Sequence, residues 1–337
     1  MTPSVAVFGA AGYAGALSAR LVHRHPAFEL RTVTARSDVG RRLDDLYPHH
    51  RVPLVLEQLD LDVHADVDAA IVGYPHGASA EVVSALVERG VRVVDLSADF
   101  RLRDPDVYAE WYRPHPEPGL IAYAVYGLPE LYRDRIPDAK IVANPGCYPT
   151  ATVLALAPLA RAGLLKDVVI DAKSGVSGAG RAATDKTHFV TVDENLNPYG
   201  VPRHRHTPEI EQELAALGAQ LFVTFTPHLI PLDQGELVSC YVTPADNDSP
   251  SLQDARALYQ EAYADEPFVE LNDHPPGVRD VRETNICRIS VHRDERTGRV
   301  IVFSALDNLW KGAASQAVQN LNLMFGRPEG EGISVAG

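Results

Sequence analysis

The residue of this sequence best placed for covalent chemistry is Cys147. It follows Asn144-Pro145-Gly146, which forces a tight bend, and it stands between the apolar run 140–143 and a helical apolar pattern that begins at Thr150. Pro149 suits a first helical position, because its missing N–H costs nothing there. We therefore expect Cys147 on a strand-to-helix turn that faces the positive end of the helix. That field favours the thiolate, the form of cysteine that attacks a carbonyl carbon.

The alternative for any free cysteine is burial as a small hydrophobic side chain. We accept that alternative for Cys240 and Cys287, each of which lies within an apolar strand pattern. Three cysteines without a C-x-x-C spacing provide neither an even disulfide framework nor a thiolate zinc site, and the thirteen histidines include no His-Glu-x-x-His motif. The sequence therefore predicts a reducing compartment and no metal centre.

A second chemical feature is the pair His204 and His206, which alternate with arginines just before a predicted helix. Thr207 as N-cap and Pro208 at the first position would start that helix. His206 would then lie outside a helix N-terminus, where the dipole disfavours its charged form and keeps it available as a base. A lone histidine is more often a bystander, but the pairing and the fixed helix start favour a function.

Strand and helix patterns alternate through the first half of the chain. A buried strand pattern, Val5–Phe8, runs into Gly9-Ala10-Ala11-Gly12-Tyr13-Ala14-Gly15 and a helix. Such glycines let the backbone approach a pyrophosphate at a helix N-terminus, although they also occur in plain tight turns. The next strand pattern ends at Arg36 and Ser37, about twenty residues further on, where dinucleotide folds contact the ribose. Together these features predict a Rossmann-like, doubly wound parallel sheet.

Two further strand patterns, 69–72 and 91–95, are apolar throughout, as parallel strands covered on both faces should be. The turns 73–77 and 96–101 follow their carboxyl ends, where doubly wound sheets bind ligands. Arg101 in the second turn fits an anion contact and a surface cation equally well.

The second half of the chain is predicted to be α+β. It opens with the strand pattern 168–173 and a glycine-rich loop, 174–181, whose donors fit a phosphate, with a flexible surface loop as the alternative. Four more strand patterns and a helix follow. A last helix from about Asn308 to Met324 carries small residues, among them Gly312, that permit close approach of a neighbour or ligand.

Composition and charge narrow the class of partner. The formal net charge of −14 at pH 7 argues against nucleic acid and anionic membranes, because both reward a basic face. No run reaches the length of a membrane span, and no basic, apolar leader precedes the first strand pattern. We therefore expect a cytoplasmic location and a small-molecule substrate.

A dinucleotide fold, a turn cysteine, a histidine pair and phosphate-type loops together predict the covalent reduction of an acyl phosphate, or the reverse oxidation of an aldehyde. The thiolate would attack the carbonyl carbon and expel phosphate, and the thioester would accept a hydride from a nicotinamide. A histidine would assist the proton transfers.

At this point the sequence resembles a known family, the N-acetyl-gamma-glutamyl-phosphate reductases of arginine biosynthesis, which are related more distantly to aspartate-semialdehyde dehydrogenases. The resemblance spans nearly the whole chain, from Val5 to Gly326. Its most specific motifs are Asn144-Pro145-Gly146-Cys147-Tyr148-Pro149-Thr150, the loop 173–181, His204-Arg205-His206-Thr207-Pro208-Glu209, Thr226-Pro227-His228-Leu229-Ile230-Pro231, and Asp307-Asn308-Leu309-Trp310-Lys311-Gly312-Ala313-Ala314.

The resemblance implies roles for many of these residues. Cys147 would be the nucleophile and His206 the acid/base, with His204 beside it. NADP(H) would be the cofactor. The candidate cofactor contacts are Gly9, Ala11, Gly12, Tyr13, Ala14, Gly15, Arg36, Ser37, Pro75, Gly77, Ser97, Ser177, Gly178, Asn308 and Gly312. The candidate substrate contacts are Asn144, Arg101, Ser174, Tyr199 and Glu209.

These expectations divide the chain into three parts: an NADP-binding domain over 1–147, a catalytic and oligomerisation domain of the semialdehyde dehydrogenase type over 148–306, and a C-terminal segment, 307–337, whose helix packs back on the first domain. The resemblance also implies a homodimer or homotetramer joined through the second domain's sheet. Two other functions stay open: a related reductase of a carrier-bound amino-adipyl or glutamyl phosphate, and a dinucleotide-sensing regulator without turnover.

Overall fold

A computed structural model describes residues 2–245 and 250–333 of the chain. The chain divides into two compact units, one formed by Met1–Gly146 with Ala313–Gly337 and the other by Cys147–Gly312. Cys147 and residues 307–312 thus lie in the second unit, whereas we assigned them to the first domain and to the C-terminal segment. In the described part of the chain, no helix combines the length and the apolarity needed to cross a membrane.

The first unit is built on one parallel sheet whose strands follow the spatial order β3-β2-β1-β4-β5-β7-β6. Its strands are β1 (Ser4–Phe8), β2 (Glu29–Thr34), β3 (Leu56–Glu57), β4 (Ala69–Val72), β5 (Arg92–Asp95), β6 (Ala124–Tyr126) and β7 (Ile141–Ala143). Its first helices are α1 (Tyr13–His23), α2 (Leu43–Leu46), α3 (Leu61–His64), α4 (Ala80–Glu88), α5 (Pro105–Trp111) and α6 (Pro129–Tyr132). β1 and β4 are buried at every residue, as strands covered on both faces should be. The predicted doubly wound sheet is confirmed.

The turn between β1 and α1 has no room for side chains at two of its glycines. Gly9 adopts φ +84°, and a Cβ there would lie 2.5 Å from the carbonyl oxygen of Gly73. A Cβ on Gly15 would lie 2.4 Å from the carbonyl oxygen of Gly9. At Gly12 the nearest heavy atom would be 3.7 Å away. The first and last glycines therefore hold α1 close to the carboxyl ends of β1 and β4.

Asp99 organises the segment that follows β5. Its carboxylate accepts hydrogen bonds from the backbone N–H groups of Gly77, Ser79 and Ala80 at 2.6, 3.1 and 3.0 Å, so it satisfies donors at the start of α4. The Tyr108 hydroxyl donates to the same carboxylate at 2.8 Å. The predicted excursion over 104–124 is thus anchored through Tyr108 on α5, and it also contains a 3-10 helix, Pro118–Tyr123.

The second unit contains a mixed sheet with the strand order β12-β13-β14-β11-β8-β10-β9. Its strands are β8 (Leu165–Gly175), β9 (Asn197–Pro198), β10 (Thr224–Ile230), β11 (Glu236–Pro244), β12 (Val269–Leu271), β13 (Cys287–Asp294) and β14 (Arg299–Leu306). Its helices are α7 (Cys147–Arg161), α8 (Phe189–Val192), α9 (Thr207–Ala216) and α10 (Leu252–Ala262). Cys240 and Cys287 are fully buried in this sheet, so the core role expected for them is confirmed.

Helix α7 is fixed in the second unit by polar as well as apolar contacts. All of its residues from Tyr148 to Ala160 are buried. The hydroxyls of Tyr259 and Tyr263 donate to the carbonyls of Ala155 and Leu154 at 2.6 and 2.5 Å. These bonds satisfy buried tyrosine hydroxyls that would otherwise destabilise the core.

The C-terminal helix is less regular than the predicted span from Asn308 to Met324. A π-helical turn, Trp310–Ala314, precedes α11 (Ser315–Met324). Helix α11 belongs to the first unit, where the Phe325 ring contacts Phe28 at 5.6 Å between centroids and the Arg92 guanidinium hydrogen-bonds to the Met324 carbonyl. The prediction missed the π turn because its small residues continue the helical pattern of the sequence.

The glycine turn yields a stability prediction. Gly15→Ala should lower the melting temperature by several degrees, because the new Cβ would overlap the Gly9 carbonyl and overpacking costs about 1–3 kcal/mol. Gly12→Ala should lower it less, since only a modest N-cap preference is lost. Thermal unfolding followed by circular dichroism measures both. Equal destabilisation by the two variants would contradict the steric account.

Candidate active site

Cys147 is the first residue of α7, so its thiol lies at the N-terminus of a fifteen-residue helix. Pro149 occupies the first turn and not the first position as predicted; its missing N–H is harmless there as well, because the first turn has no intrahelical acceptor for it. The cysteine is half-buried, and no side chain fits beside it: a Cβ on Gly312 would lie 2.8 Å from the Cys147 Cβ. The helix N-terminus favours the thiolate.

Aromatic rings surround the position after the cysteine. The Tyr148 ring lies 5.8 Å from the rings of both His204 and His206, centroid to centroid, and 5.4 Å from Phe225. The Tyr199 hydroxyl donates to the Tyr148 hydroxyl at 3.2 Å. Burial raises the pKa of both tyrosines well above the ordinary value, so both hydroxyls stay protonated. The structure thus brings four predicted site residues, Cys147, His204, His206 and Tyr199, around one that the sequence did not single out.

The two histidines differ in environment. His204 packs edge-on against Tyr199 and Phe225, and its Nδ1 accepts a hydrogen bond from the His206 backbone N–H at 3.1 Å. Burial, with a smaller contribution from Arg205, lowers the pKa of His204 to about 4, so this ring is neutral near pH 7. His204 therefore holds the backbone of His206 in place.

His206 occupies the N-cap of α9, which corrects the predicted cap. Thr207 is instead the first helical residue, and its buried hydroxyl makes no capping hydrogen bond. The helix was predicted to begin at Pro208, one residue too late, because Thr207 and Pro208 both satisfy the local preferences for a helix start. The expectation that His206 sits at a rigid helix start is unaffected.

Glu236 is the residue that sequence reasoning missed. It is the first residue of β11, pairs in register with Ser174 on β8, and is fully buried. Burial raises the pKa of its carboxyl to about 8, while the Cys147 thiol and the Ser174 hydroxyl lower it by hydrogen bonding. Strand register between β8 and β11 places it here, and the sequence pattern carries no signal for that register.

The predicted phosphate loop is tied to the segment before β11. Ser177 Oγ donates to the Asp233 carbonyl at 2.5 Å, and Asn308 Nδ2 donates to Ser177 Oγ at 3.0 Å. Asn308 Oδ1 in turn accepts from the Gly235 N–H at 2.8 Å. A Cβ on Gly178 would lie 3.2 Å from Ser174 Oγ. These contacts hold residues 174–177 in place, whereas residues 178–181 are exposed, so a role of the loop in phosphate binding stays a prediction.

The remaining candidate substrate contacts are buried. Asn144 donates to the Ala313 carbonyl at 3.1 Å and accepts from Asn320 at 3.1 Å, and its own carbonyl accepts from Arg101 Nε at 2.8 Å. Arg101 also bonds the Leu96 carbonyl at 2.8 Å. Asn144 and Arg101 therefore support the first unit, and Glu209 is buried at the start of α9 in the second. Substrate contact by these three remains a prediction.

The first unit contains a turn that fits a dinucleotide. Gly9 and Ala10 donate to the Thr34 carbonyl, each at 2.9 Å, which joins the glycine turn to the end of β2. The N-cap of α1 is Gly12, which has no side chain to occupy the helix start, and the first turn contains no acidic residue. A pyrophosphate therefore meets backbone donors and a favourable dipole without a competing carboxylate. Gly9 and Gly15 allow the close backbone packing of this turn, and Gly12 leaves the helix start open, so the residues present fit the cofactor.

Arg36 and its surroundings fit a phosphorylated ribose. The Arg36 guanidinium stacks on the Tyr74 ring, 4.7 Å from its centroid, and the Tyr74 hydroxyl is 3.2 Å from that of Thr34. Asp38 Oδ1 accepts from Arg41 Nη1 at 3.1 Å, so this carboxylate is engaged by a cation. Ser37 is exposed beside Arg36.

The other predicted cofactor contacts are distributed over both units. Ala11 accepts from the Tyr47 hydroxyl at 2.8 Å, and Tyr13 lies against the Tyr47 ring. Ser97 Oγ donates to Asp95 at 2.6 Å, and Ala14 accepts from Ser18. The structure places Ala11, Tyr13, Ala14, Pro75, Gly77 and Ser97 in the first unit, and Ser177, Gly178, Asn308 and Gly312 in the second.

Two family descriptions cover almost the whole chain. The NAD binding domain of semialdehyde dehydrogenases matches residues 4–139, and their dimerisation domain matches residues 147–308. The predicted combination of a Rossmann-like domain with a domain of the semialdehyde dehydrogenase type is thereby confirmed.

Known relatives are similar over nearly their full length. The N-acetyl-gamma-glutamyl-phosphate reductase of Desulforudis audaxviator is 49% identical over 344 residues, which cover 99% of this chain and 98% of the relative. The enzyme of the same name from Rubrobacter xylanophilus is 47% identical over 338 residues, with 98% of each chain covered.

Solved structures with this fold include aspartate semialdehyde dehydrogenase II from Vibrio cholerae, with a TM-score of 0.72 at 19% identity over 97% of this chain and 99% of that one. The aspartate semialdehyde dehydrogenase of Candida albicans, determined with NADP, has a TM-score of 0.70 at 15% identity over 96% of this chain and 99% of that one. At these identities the likeness concerns the fold alone.

Proposed function

The chain belongs to the N-acetyl-gamma-glutamyl-phosphate reductase family, and from this premise we propose that it reduces N-acetyl-L-glutamyl 5-phosphate with NADPH to N-acetyl-L-glutamate 5-semialdehyde and phosphate, a step of arginine biosynthesis. The observation that carries the proposal is the position of Cys147 at the start of α7, with His206 held at the start of α9 in the same unit. A purified-protein assay tests it: NADPH should be consumed only when the acyl phosphate is present.

The first half of the reaction uses Cys147 and His206. His206 accepts the thiol proton, and the thiolate attacks the carbonyl carbon of the acyl phosphate. The carbon–oxygen bond to phosphate then breaks, the phosphate takes the proton from His206, and a thioester to Cys147 remains. His204, neutral and hydrogen-bonded to the His206 backbone, keeps the base oriented.

The cofactor would be held by the glycine turn and by Arg36 with Ser37. NADPH, when bound, supplies the hydride that reduces the thioester to the aldehyde level. The resulting thiohemiacetal alkoxide on Cys147 collapses by breaking its carbon–sulfur bond, which releases the aldehyde, and the thiolate takes up a proton. Ser174, Tyr199 and Glu209, all in the second unit, are the proposed substrate contacts.

Assembly and location belong to the same proposal. The second unit matches a dimerisation domain, so we infer a homodimer or homotetramer joined through its sheet. Sedimentation equilibrium would distinguish these states from a monomer. The free cysteines agree with a reducing, cytoplasmic location.

Cys147→Ser should abolish reduction and leave NADPH affinity unchanged, because an alcohol is a far weaker nucleophile than a thiolate at neutral pH. Steady-state kinetics measures the loss, and quenching of NADPH fluorescence checks binding. Residual turnover of a tenth of the wild-type rate would rule out the covalent mechanism.

His206→Asn should reduce turnover by about a hundredfold or more, the usual contribution of a general acid/base. His204→Asn should mainly raise KM and lower the melting temperature, since His204 packs and orients its neighbour. Measuring kcat and KM for the two variants separates the roles. A larger loss of kcat at His204 would reverse the assignment.

Arg36→Ala should reduce the ratio of kcat/KM with NADPH to that with NADH, because a guanidinium can donate two hydrogen bonds to a 2′-phosphate. The wild-type ratio should favour NADPH, as the Asp38 carboxylate that would repel this phosphate is paired with Arg41. An unchanged ratio in the variant would remove Arg36 from the cofactor site.

A further inference from the structure

A buried carboxyl group lies beside the nucleophile and has no role in the mechanism above. Glu236, at the start of β11, is fully excluded from solvent and pairs in register with Ser174 on one neighbouring strand and Leu306 on the other. Within residues 2–245 and 250–333, neither carboxyl oxygen has a hydrogen-bond partner of good geometry. The Cys147 thiol and the Ser174 hydroxyl nevertheless lie close enough to interact with the carboxyl group and lower its pKa.

The groups that face Glu236 come from several elements of the second unit. They are Cys147 and Tyr148 on α7, Tyr199 after β9, Ser174 on β8 and Asp307 after β14. None of these groups carries a positive charge, although His206, whose ring lies 5.8 Å from that of Tyr148, becomes cationic when it accepts the thiol proton. In the resting protein an ionised Glu236 would be a buried anion close to a second carboxyl group, Asp307, and burial of such a charge is costly.

We propose that Glu236 is a further catalytic residue: it stays protonated during turnover and donates its hydrogen bond to the sulfur of Cys147. This inference rests on the proposed function, since it assigns a role in the same reaction. Its basis is the full burial of this carboxyl group and its place beside Cys147 and Ser174. A carboxylic acid held neutral by an apolar site is an effective hydrogen-bond donor to a developing anion.

The hydrogen bond would act twice in each turnover. When His206 removes the thiol proton, the Glu236 O–H donates to the thiolate and stabilises it before attack. When the thiohemiacetal collapses, the same donor stabilises the thiolate as it leaves. Glu236 keeps its proton throughout, so no bond to it forms or breaks and the proton balance of the reaction is unchanged.

The proposal sets a pH dependence. Burial raises the carboxyl pKa to about 8, so Glu236 is neutral below that pH and ionises above it. Ionisation removes the donor and places a negative charge beside both the thiolate and an anionic acyl phosphate. Turnover should therefore fall above pH 8, by about tenfold one unit beyond the pKa.

Two variants separate the donor from the charge. Glu236→Gln keeps a hydrogen-bond donor of similar shape but cannot ionise, so at pH 7 it should retain activity within about fivefold of wild type. Glu236→Met fills the space without a donor and should lose about 10- to 100-fold, the contribution of a hydrogen bond to a charged group. Glu213→Gln alters another fully buried glutamate of the second unit and should match wild type.

The decisive measurement is the phosphate released in a single turnover, without NADPH, between pH 6 and 10. The ratio of wild-type to Glu236→Gln rates should be flat below pH 7 and fall with an apparent pKa near 8, because only the wild type has an ionisable group at position 236. Thermal melting confirms that each variant is folded. If Glu236→Met does not fold, the pH dependence of the ratio of wild-type to Glu236→Gln rates still tests the proposal.

Three results would overturn the proposal. A flat ratio up to pH 10 would show that Glu236 does not titrate at the nucleophile. A loss of a hundredfold in Glu236→Gln at pH 7 would show that the carboxylate form is needed. Equal activity of folded Glu236→Met and Glu236→Gln would show that no donor is needed. Each of these three results requires that the wild-type protein is active. Failure of the proposed function itself would give a different result: no phosphate release by the wild type, or activity in Cys147→Ser.

Discussion

The candidate active site depends on the lack of space beside Cys147. Gly312 approaches the cysteine so closely that even one methyl group would overlap its Cβ. Only a residue without a side chain fits at position 312, and the helix that begins at Cys147 fixes the backbone of the cysteine. The backbone and Cβ of the nucleophile are thus held closely between the first turn of α7 and Gly312. Such restriction favours reaction, because a small displacement of a reacting atom reduces rates strongly.

Exclusion of water sets the protonation of the groups around this nucleophile. Burial makes His204 neutral, keeps the hydroxyls of Tyr148 and Tyr199 protonated, and raises the pKa of Glu236. The result is a ring of neutral donors and acceptors around one thiol. A thiolate formed there meets hydrogen-bond donors and a helix dipole, and in a medium of low dielectric constant these groups have larger effects than in water.

The sequence predicted the parts of this protein that follow from short-range patterns. The parallel sheet followed from apolar strands alternating with helices, and the cysteine turn followed from Asn144-Pro145-Gly146 and the apolar runs around it. Helix starts were displaced by one or two residues at Cys147 and Thr207, because several residues near each start satisfy the same local preferences. Glu236 was missed because its position depends on the register of β8 against β11, a long-range pairing that no local pattern encodes.

The stacking of Arg36 on Tyr74 bears on how tightly a cofactor is held. An arginine side chain loses about 1.5–2 kcal/mol of rotamer entropy when it is fixed. Here the ring under the guanidinium, anchored through Thr34 at the end of β2, already restricts that side chain in the free protein. Part of the entropy loss is thus incurred on folding, and an incoming phosphate meets a cation whose freedom is already reduced. Preorganisation of this kind lengthens the residence time of a ligand more than it speeds its arrival.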